Sequence, residues 1–161
     1  MKLGYYPDVV NENVTRVVAS SVVLFGVVSL IFPNPYSLSY LFLGFFLRLS
    51  YGPKLEPVAI LVSKYLVPLL SISFVPTAGP PKRFAQLIGF IFSLTAIILY
   101  SFQFFLAFQI ILAILVFFAS LESFLGWCAG CFFFGILMKL GVIPKEVCER
   151  CNNLNFNKIS D

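Results

Sequence analysis

Two long uncharged segments constrain this chain more than any other feature of its sequence. Residues 17–47 and 84–121 contain no Asp, Glu, Lys or Arg, and these runs are 31 and 38 residues long. At about 1.5 Å per residue, the second run would form a helix of roughly 57 Å, nearly twice the ~30 Å hydrocarbon thickness of a bilayer. Each run is therefore predicted to fold back on itself as a helical hairpin.

The composition excludes a water-soluble fold. Hydrophobic residues make up 60% of the chain and charged residues only 11%, whereas a typical soluble domain contains about 25% charged residues. The 11 Lys and Arg residues are scattered between apolar stretches. The expected partner is therefore the lipid bilayer, and binding of a nucleic acid is not expected. The chain contains no histidine, which excludes Ser-His-Asp and Cys-His catalytic sites and imidazole metal ligands.

Turn residues divide both uncharged runs. Two prolines flank Asn34 in the first, and Ser101 and Gln103 interrupt the second. We therefore predict an all-α integral membrane protein with four transmembrane helices in two hairpins, an interfacial helix and a short C-terminal helix that begins with a CxxC pair. The predicted ranges are about 14–32, 36–51, 82–100 and 104–122 for the transmembrane helices, 55–74 for the interfacial helix, 124–143 for the short helix, 1–143 for the helical domain and 144–161 for a polar, cysteine-containing tail.

The distribution of positive charge predicts the orientation. Neither hairpin turn, 33–35 or 101–103, contains Lys or Arg, and cytoplasmic loops are enriched in both. A multi-pass protein of the cell membrane with both termini in the cytoplasm is expected. The segment 55–74 is placed in the interface because a spanning helix would bury Lys64 at the bilayer centre. Residues 124–143 are long enough to cross, but the bases that follow them favour a helix in the cytoplasmic leaflet.

All four cysteines occur in two CxxC pairs separated by 16 residues, Cys128 with Cys131 and Cys148 with Cys151. A CxxC pair on the first turn of a helix brings its sulfurs together, and the helix N-terminus stabilises a thiolate. This pattern favours a thiol–disulfide or sulfur-transfer relay without a cofactor. In it Cys128 attacks, Cys131 resolves, and Cys148 and Cys151 pass electrons or sulfur to a soluble partner.

Other interpretations of the cysteines remain open. The spacing also fits a zinc site made by Cys128, Cys131, Cys148 and Cys151 in a non-enzymatic membrane scaffold. The first pair is equally compatible with a small-residue face for helix packing. A permanent structural disulfide is disfavoured by the reducing cytoplasm.

Glu122 is a carboxylate embedded in apolar sequence, six residues before Cys128. At the end of the fourth predicted helix it is a candidate proton acceptor for a thiol. It is equally a candidate partner for Lys82 or Arg83, which begin the third helix on the same side.

Two motifs carry a family resemblance that spans nearly the whole chain. Residues 80–86, PPKRFAQ, open the third predicted helix, and residues 124–131, FLGWCAGC, follow the fourth. Both resemble the small prokaryotic membrane proteins of domain of unknown function 4395. The family pattern contains the first CxxC pair, whereas the tail pair departs from it. The resemblance implies thiol or sulfur chemistry with a thioredoxin-like or rhodanese-like partner, but no established activity.

Overall fold

The computed structural model describes residues 9–52, 56–66, 69 and 75–141. Within that part, most residues are helical. The others form two three-residue strands and the turns between elements. In chain order the elements are β1 (Val9–Asn11), α1 (Glu12–Ile31), α2 (Pro35–Tyr51), α3 (Pro57–Leu61), the π-helical turn π1 (Val62–Leu66), β2 (Pro76–Ala78), α4 (Gly79–Ser101), α5 (Phe105–Ser120), the π-helical turn π2 (Leu121–Leu125) and α6 (Ala129–Lys139).

Polar side chains and prolines define where several helices begin. Asn34 caps α2 by accepting a 2.8 Å hydrogen bond from the backbone N–H of Tyr36, and Pro35 occupies the first helical position. Glu56 caps α3 by accepting from the N–H of Ala59 at 3.2 Å. Such caps satisfy backbone donors that have no partner within the helix.

Four helices form the bundle, in the spatial order α1, α2, α4, α5. Because α1 and α4 each contact both α2 and α5, the two hairpins pack side by side. The main core lies between them and contains eight buried side chains: Val22, Leu38, Leu41, Phe45, Ala96, Phe108, Leu112 and Leu115. The short helix α6 packs on α4 and makes no comparable contact with α5.

A small antiparallel sheet joins the starts of α1 and α4. β1 pairs with β2, with Val10 opposite Thr77. The backbone N–H of Glu12 donates to the carbonyl of Val75 at 2.9 Å and extends this link into the first turn of α1. Sequence analysis did not predict the sheet, because neither three-residue segment carries a strand pattern of its own. Its effect is to hold together the ends of the two helices that begin beside the candidate site.

The outer surface of the bundle is apolar, as expected of a membrane protein. Large hydrophobic side chains on the outside of α1 and α5 are more than half exposed, among them Leu24, Leu106 and Phe117, and soluble proteins do not leave so much apolar surface in water. In the described part of the chain, three helices are long and apolar enough to cross a membrane: Glu12–Ile31, Gly79–Ser101 and Phe105–Leu125. The chain is thus an all-α membrane protein. α2, with 17 residues, is shorter than these three.

The observed boundaries differ from the predicted ones mainly at the short C-terminal helix. The predicted helix begins at residue 124, whereas α6 begins at Ala129, because Gly126 has a left-handed backbone (φ 67°) that ends π2. Within the predicted interfacial helix 55–74, the structure describes a short helix and turn over residues 57–66. The tail 144–161, with Cys148 and Cys151, lies outside the described residues.

Candidate functional site

A buried ion pair lies at the end of the bundle where α1, α4 and π2 meet. The Lys82 ammonium donates to Glu122 Oε1 at 2.6 Å and to the Thr15 hydroxyl at 3.2 Å. The side chain of Lys82 is 3% exposed and that of Glu122 15% exposed. Of the two predicted partners of Glu122, Lys82 is therefore in direct contact with it. The pair connects three elements that are far apart in sequence.

The turn after Glu122 leads the chain from α5 to the cysteines. Residues 121–125 form π2, and the left-handed Gly126 follows. The guanidinium of Arg16, which also pairs with Glu12 at 2.9 Å, packs so closely on Gly126 that a β-carbon there would overlap it. Ser20 and Ser123 share a 2.6 Å hydrogen bond next to this contact. Contacts from α1 thus hold the turn that positions Cys128.

Cys128 is the N-cap of α6, and Cys131 is the third residue of that helix. The backbone N–H of Cys131 donates to Cys128 Sγ at 3.3 Å. Both cysteines are free thiols and half-buried. A sulfur that accepts from the first turn of a helix is placed where a negative charge is stabilised. This arrangement favours Cys128 as the thiolate of the pair.

Gly130 docks α6 on α4. A β-carbon at Gly130 would lie 2.5 Å from Ala85 Cα, so the two backbones touch. The ring of Phe134, four residues later, packs on the ring of Phe84 with 5.8 Å between centroids. This contact brings the start of α6 beside Lys82, which is only three residues before Ala85.

The two thiols have pKa values shifted in opposite directions. A hydrogen bond from the Cys131 thiol holds the pKa of Cys128 below its usual value, with a further contribution from the Lys82 ammonium, although burial and Glu122 oppose the shift. The pKa of Cys131 is raised, because its proton is shared with the Cys128 sulfur and because the site is buried. Of the two thiols, Cys128 therefore ionises first as the pH rises, and Cys131 keeps its proton to a higher pH.

We expect alkylation to follow this order. A thiol of ordinary pKa, about 8.5, reacts mostly above that pH. The rate at which iodoacetamide alkylates Cys128 should instead reach half of its maximum below pH ~8.5. Alkylation of Cys131 should need a higher pH. Because serine can still donate a hydrogen bond and alanine cannot, Cys131→Ala should raise the Cys128 midpoint more than Cys131→Ser. Peptide mass spectrometry at a series of pH values measures both midpoints, and equal midpoints for the two thiols would contradict the expected order.

The dithiol faces two different environments. On one side is an open recess lined by Trp127, Cys128, Cys131 and Lys82, with Glu12 and Thr77 at its edge. The indole of Trp127 is 44% exposed and packs on Phe132 with 5.7 Å between ring centroids. Because the recess is open to the outside, it is accessible to a water-soluble partner.

On the other side is a cavity of about 280 Å³ inside the bundle. Most of its walls are apolar, and Cys128 is part of the wall nearest α6. Its polar lining residues include Gln86 and Arg48. Gln86 is 92% buried, and its Oε1 finds no hydrogen-bond partner in the part of the chain that the structure describes.

A second buried charge pair, Arg48 with Glu56, lies where Arg48 lines this cavity. Arg48 lies 3.8 Å from Glu56 Oε1, donates from Nε to the carbonyl of Gly44 at 2.9 Å, and places its guanidinium over the Phe45 ring. Burial raises the pKa of Glu56, and the Arg48 charge and the capping bond from Ala59 partly offset this effect. The pair fixes the end of α2 against α3.

The structure brings Cys128, Cys131 and Glu122 to one end of the bundle. It adds Thr15, Arg16 and Gln86, which sequence analysis did not assign to the site. A lone amide in the apolar sequence after Arg83 is a signal that points to Gln86. Among the described residues, no group of three or more Cys, Asp or Glu side chains is placed to hold a metal ion. Two of the four cysteines in the zinc alternative are not among those residues.

The chain matches one family model. Residues 10–139 match the model described as "Domain of unknown function (DUF4395)". No curated protein and no solved structure matches the chain.

Proposed function

Given that this chain belongs to the DUF4395 family, whose description states no activity, we propose from the geometry of its site that it is a membrane-bound thiol–disulfide relay. The observation that carries the proposal is the position of Cys128, whose sulfur caps α6 and accepts from the N–H of Cys131 at 3.3 Å. A CxxC pair in this position has one stabilised thiolate and one protonated thiol, which are the two species needed for exchange.

The proposed exchange is balanced in atoms and electrons. The Cys128 thiolate attacks one sulfur of a partner disulfide, and the other partner sulfur leaves as a thiolate. Cys131 then gives its proton to Glu122 and attacks Cys128 Sγ, which forms the internal disulfide and releases the second partner sulfur as a thiolate. The two partner thiolates take up the Glu122 proton and one proton from water. The partner disulfide is reduced to a dithiol, and the Cys128–Cys131 pair is oxidised. The reverse sequence transfers a disulfide outward.

Glu122 and Lys82 act around this step in two ways. The Lys82 charge favours the Cys128 thiolate, and Glu122 holds the Lys82 ammonium in place at 2.6 Å. We therefore assign Glu122 to positioning Lys82 and to accepting a proton at the site. In the same proposal, Cys148 and Cys151 pass electrons or sulfur to a soluble thioredoxin-like or rhodanese-like partner.

The proposed location is the cell membrane, with four crossings and both termini in the cytoplasm. The buried charges of Arg48, Lys82 and Glu122 share one end of the bundle with Cys128. The hairpin turns around Asn34 and Gln103 contain no Lys or Arg. Because positively charged residues favour the cytoplasmic side, the dithiol faces the cytoplasm in this proposal.

Cysteine labelling tests that topology. In a chain whose native cysteines are replaced by serine, single cysteines at Asn34 and Gln103 should react with a membrane-impermeant maleimide added to intact cells. A cysteine at Arg83, an exposed residue beside the dithiol end, should react only after the membrane is opened. Labelling of Asn34→Cys and Gln103→Cys only from the cytoplasmic side would contradict four crossings with cytoplasmic termini.

The redox proposal is tested by alkylation mass spectrometry over a graded glutathione buffer in lipid nanodiscs. We expect Cys128 and Cys131 to change together from two alkylated thiols to one disulfide. Cys128→Ser and Cys131→Ser should each abolish the change, whereas Ser101→Ala, at the exposed end of α4 farthest from the dithiol, should preserve it. Thiols that stay reduced across the whole range would rule out the relay.

Metal content separates the relay from the zinc scaffold. Binding of zinc by four thiolates would give about one zinc per purified chain, lost in Cys148→Ser. A relay without a cofactor predicts no stoichiometric zinc in the same preparation.

A further inference from the structure

The internal cavity and the dithiol share a wall, and this juxtaposition has a chemical consequence. Cys128 lines both the open recess and the cavity, whereas Cys131 lines only the recess. A ligand in the cavity therefore lies against Cys128, the residue whose sulfur the proposed relay uses as its nucleophile.

The cavity walls select an apolar ligand of moderate size. Its volume is about 280 Å³, and a cavity of about 150 Å³ is enough to bind benzene. A substituted monocyclic or bicyclic ring system would fill the cavity of this protein. Val18, Val22, Phe92 and Leu115 provide its inner surface, which disfavours a charged or strongly hydrated molecule.

Gln86 requires that the ligand also carry a polar group. Its Oε1 is buried and has no hydrogen-bond partner among the described residues, a state that is unfavourable unless a ligand satisfies it. An amide has both a donor and an acceptor and can rotate to present either. It can therefore donate to a ring carbonyl and, after rotation, accept from the corresponding ring hydroxyl. A plain acyl chain would leave this group unsatisfied.

The cavity also has a side on which a long apolar tail can leave. Phe118 on α5 and Phe133 on α6 both line it, and Phe133 is 47% exposed on the outer surface. α6 packs on α4 rather than on α5, so we place the opening at the part of the cavity wall that Phe118 and Phe133 line. In a membrane, that exterior is lipid.

Building on the proposed relay, we infer that the cavity binds a lipid-soluble quinone and that the Cys128–Cys131 dithiol exchanges electrons with it. In the forward step the Cys128 thiolate and the Cys131 thiol form one S–S bond, and their two electrons, the Cys131 proton and one proton from water convert the quinone carbonyls to the hydroxyls of a quinol. The sulfurs are oxidised and the quinone is reduced. The relay thereby joins thiols on the polar side to an electron carrier dissolved in the bilayer.

Binding is measured without any redox reaction. Trp127 is the only tryptophan of the chain and precedes Cys128, so a bound quinone should quench its fluorescence. We would titrate a short-chain ubiquinone analogue into the Cys131→Ser protein in nanodiscs. A saturable quench is expected, and the fully saturated alcohol of the same chain length should compete poorly. Equal binding of that alcohol would assign the cavity to acyl chains and overturn the inference.

Matched variants locate the site. Ala119 lines the cavity, whereas Ala113 on the same helix is exposed on the outside. Ala119→Leu should weaken quinone binding about tenfold because it fills the cavity, and Ala113→Leu should not. Gln86→Leu should weaken it about fivefold through the lost hydrogen bond. Equal affinities in all three variants would place the quinone elsewhere and overturn the inference.

The electron transfer is tested in a single turnover. The pre-reduced protein, freed of reductant and oxygen, is mixed with one equivalent of the quinone analogue. We expect one disulfide and one quinol per chain, and neither in Cys131→Ser. If the thiols switch in glutathione buffer but the quinone neither binds nor oxidises them, the quinone inference fails and the relay stands. If the two thiols form no disulfide in the glutathione buffer and none with the quinone, the relay itself fails.

Discussion

Replacing Lys82 with methionine is expected to lower the free energy of unfolding by about 3 kcal/mol. The substitution keeps the length of the side chain but leaves the Glu122 carboxylate and the Thr15 hydroxyl without the ammonium that both contact. An uncompensated charge in a buried pair costs several kcal/mol, whereas the intact pair contributes much less. The measurement is unfolding of the detergent-solubilised protein by sodium dodecyl sulfate, followed by circular dichroism.

Two further variants separate the charge effect from general damage to α4. Arg83→Met removes the next base on the same helix, where the side chain is exposed, and should cost no more than about 1 kcal/mol, the usual upper limit for the contacts of an exposed charge. The double variant Lys82→Met with Glu122→Leu removes both charges and should recover most of the loss. If the double variant is less stable than Lys82→Met alone, the buried pair is not the cause.

Gly130→Ala should detach α6 from α4 and destabilise the protein by about 1–3 kcal/mol. The new β-carbon would lie 2.5 Å from Ala85 Cα, and a backbone atom cannot move aside as the end of a side chain can. Because α6 carries the dithiol, the same change should move Cys128 away from Lys82. The alkylation midpoint of Cys128 should then shift toward that of an ordinary thiol, about 8.5.

Gly135 provides a matched control on the same helix. A β-carbon there meets nothing within 4 Å, so Gly135→Ala should stabilise α6 by about 0.5–1 kcal/mol through helix propensity. The two substitutions are chemically identical and are expected to have opposite signs. Two changes of the same sign, measured by the same unfolding assay, would mean that the close contact with Ala85 does not hold α6 in place.

Several features of this protein could be predicted from sequence because their causes are local. The uncharged runs exceed the thickness of a bilayer and require helical hairpins, and the turn predicted at the proline-flanked Asn34 is present between α1 and α2. The membrane environment and the family follow from composition and two short motifs. The proximity of Cys128 to Cys131 depends only on their spacing and on the start of a helix.

Other features depend on contacts between residues distant in sequence. α6 begins at Ala129 because Arg16 packs on Gly126 and because Gly130 meets Ala85. Neither contact can be predicted from local helix propensity. The strands β1 and β2 are too short to be predicted and exist only because each pairs with the other.

The sequence alone was sufficient for the class of the protein, its helical hairpins and the pairing of Cys128 with Cys131 at the start of a helix, since hydrophobic length, proline and CxxC spacing act over a few residues. The tertiary structure decided which charge neutralises Glu122, which of the two cysteines lines the bundle interior, and that the cavity beside Cys128 is also lined by Gln86, whose Oε1 has no partner among the described residues. Those properties depend on how four helices pack, because a cavity is bounded by side chains from all of them.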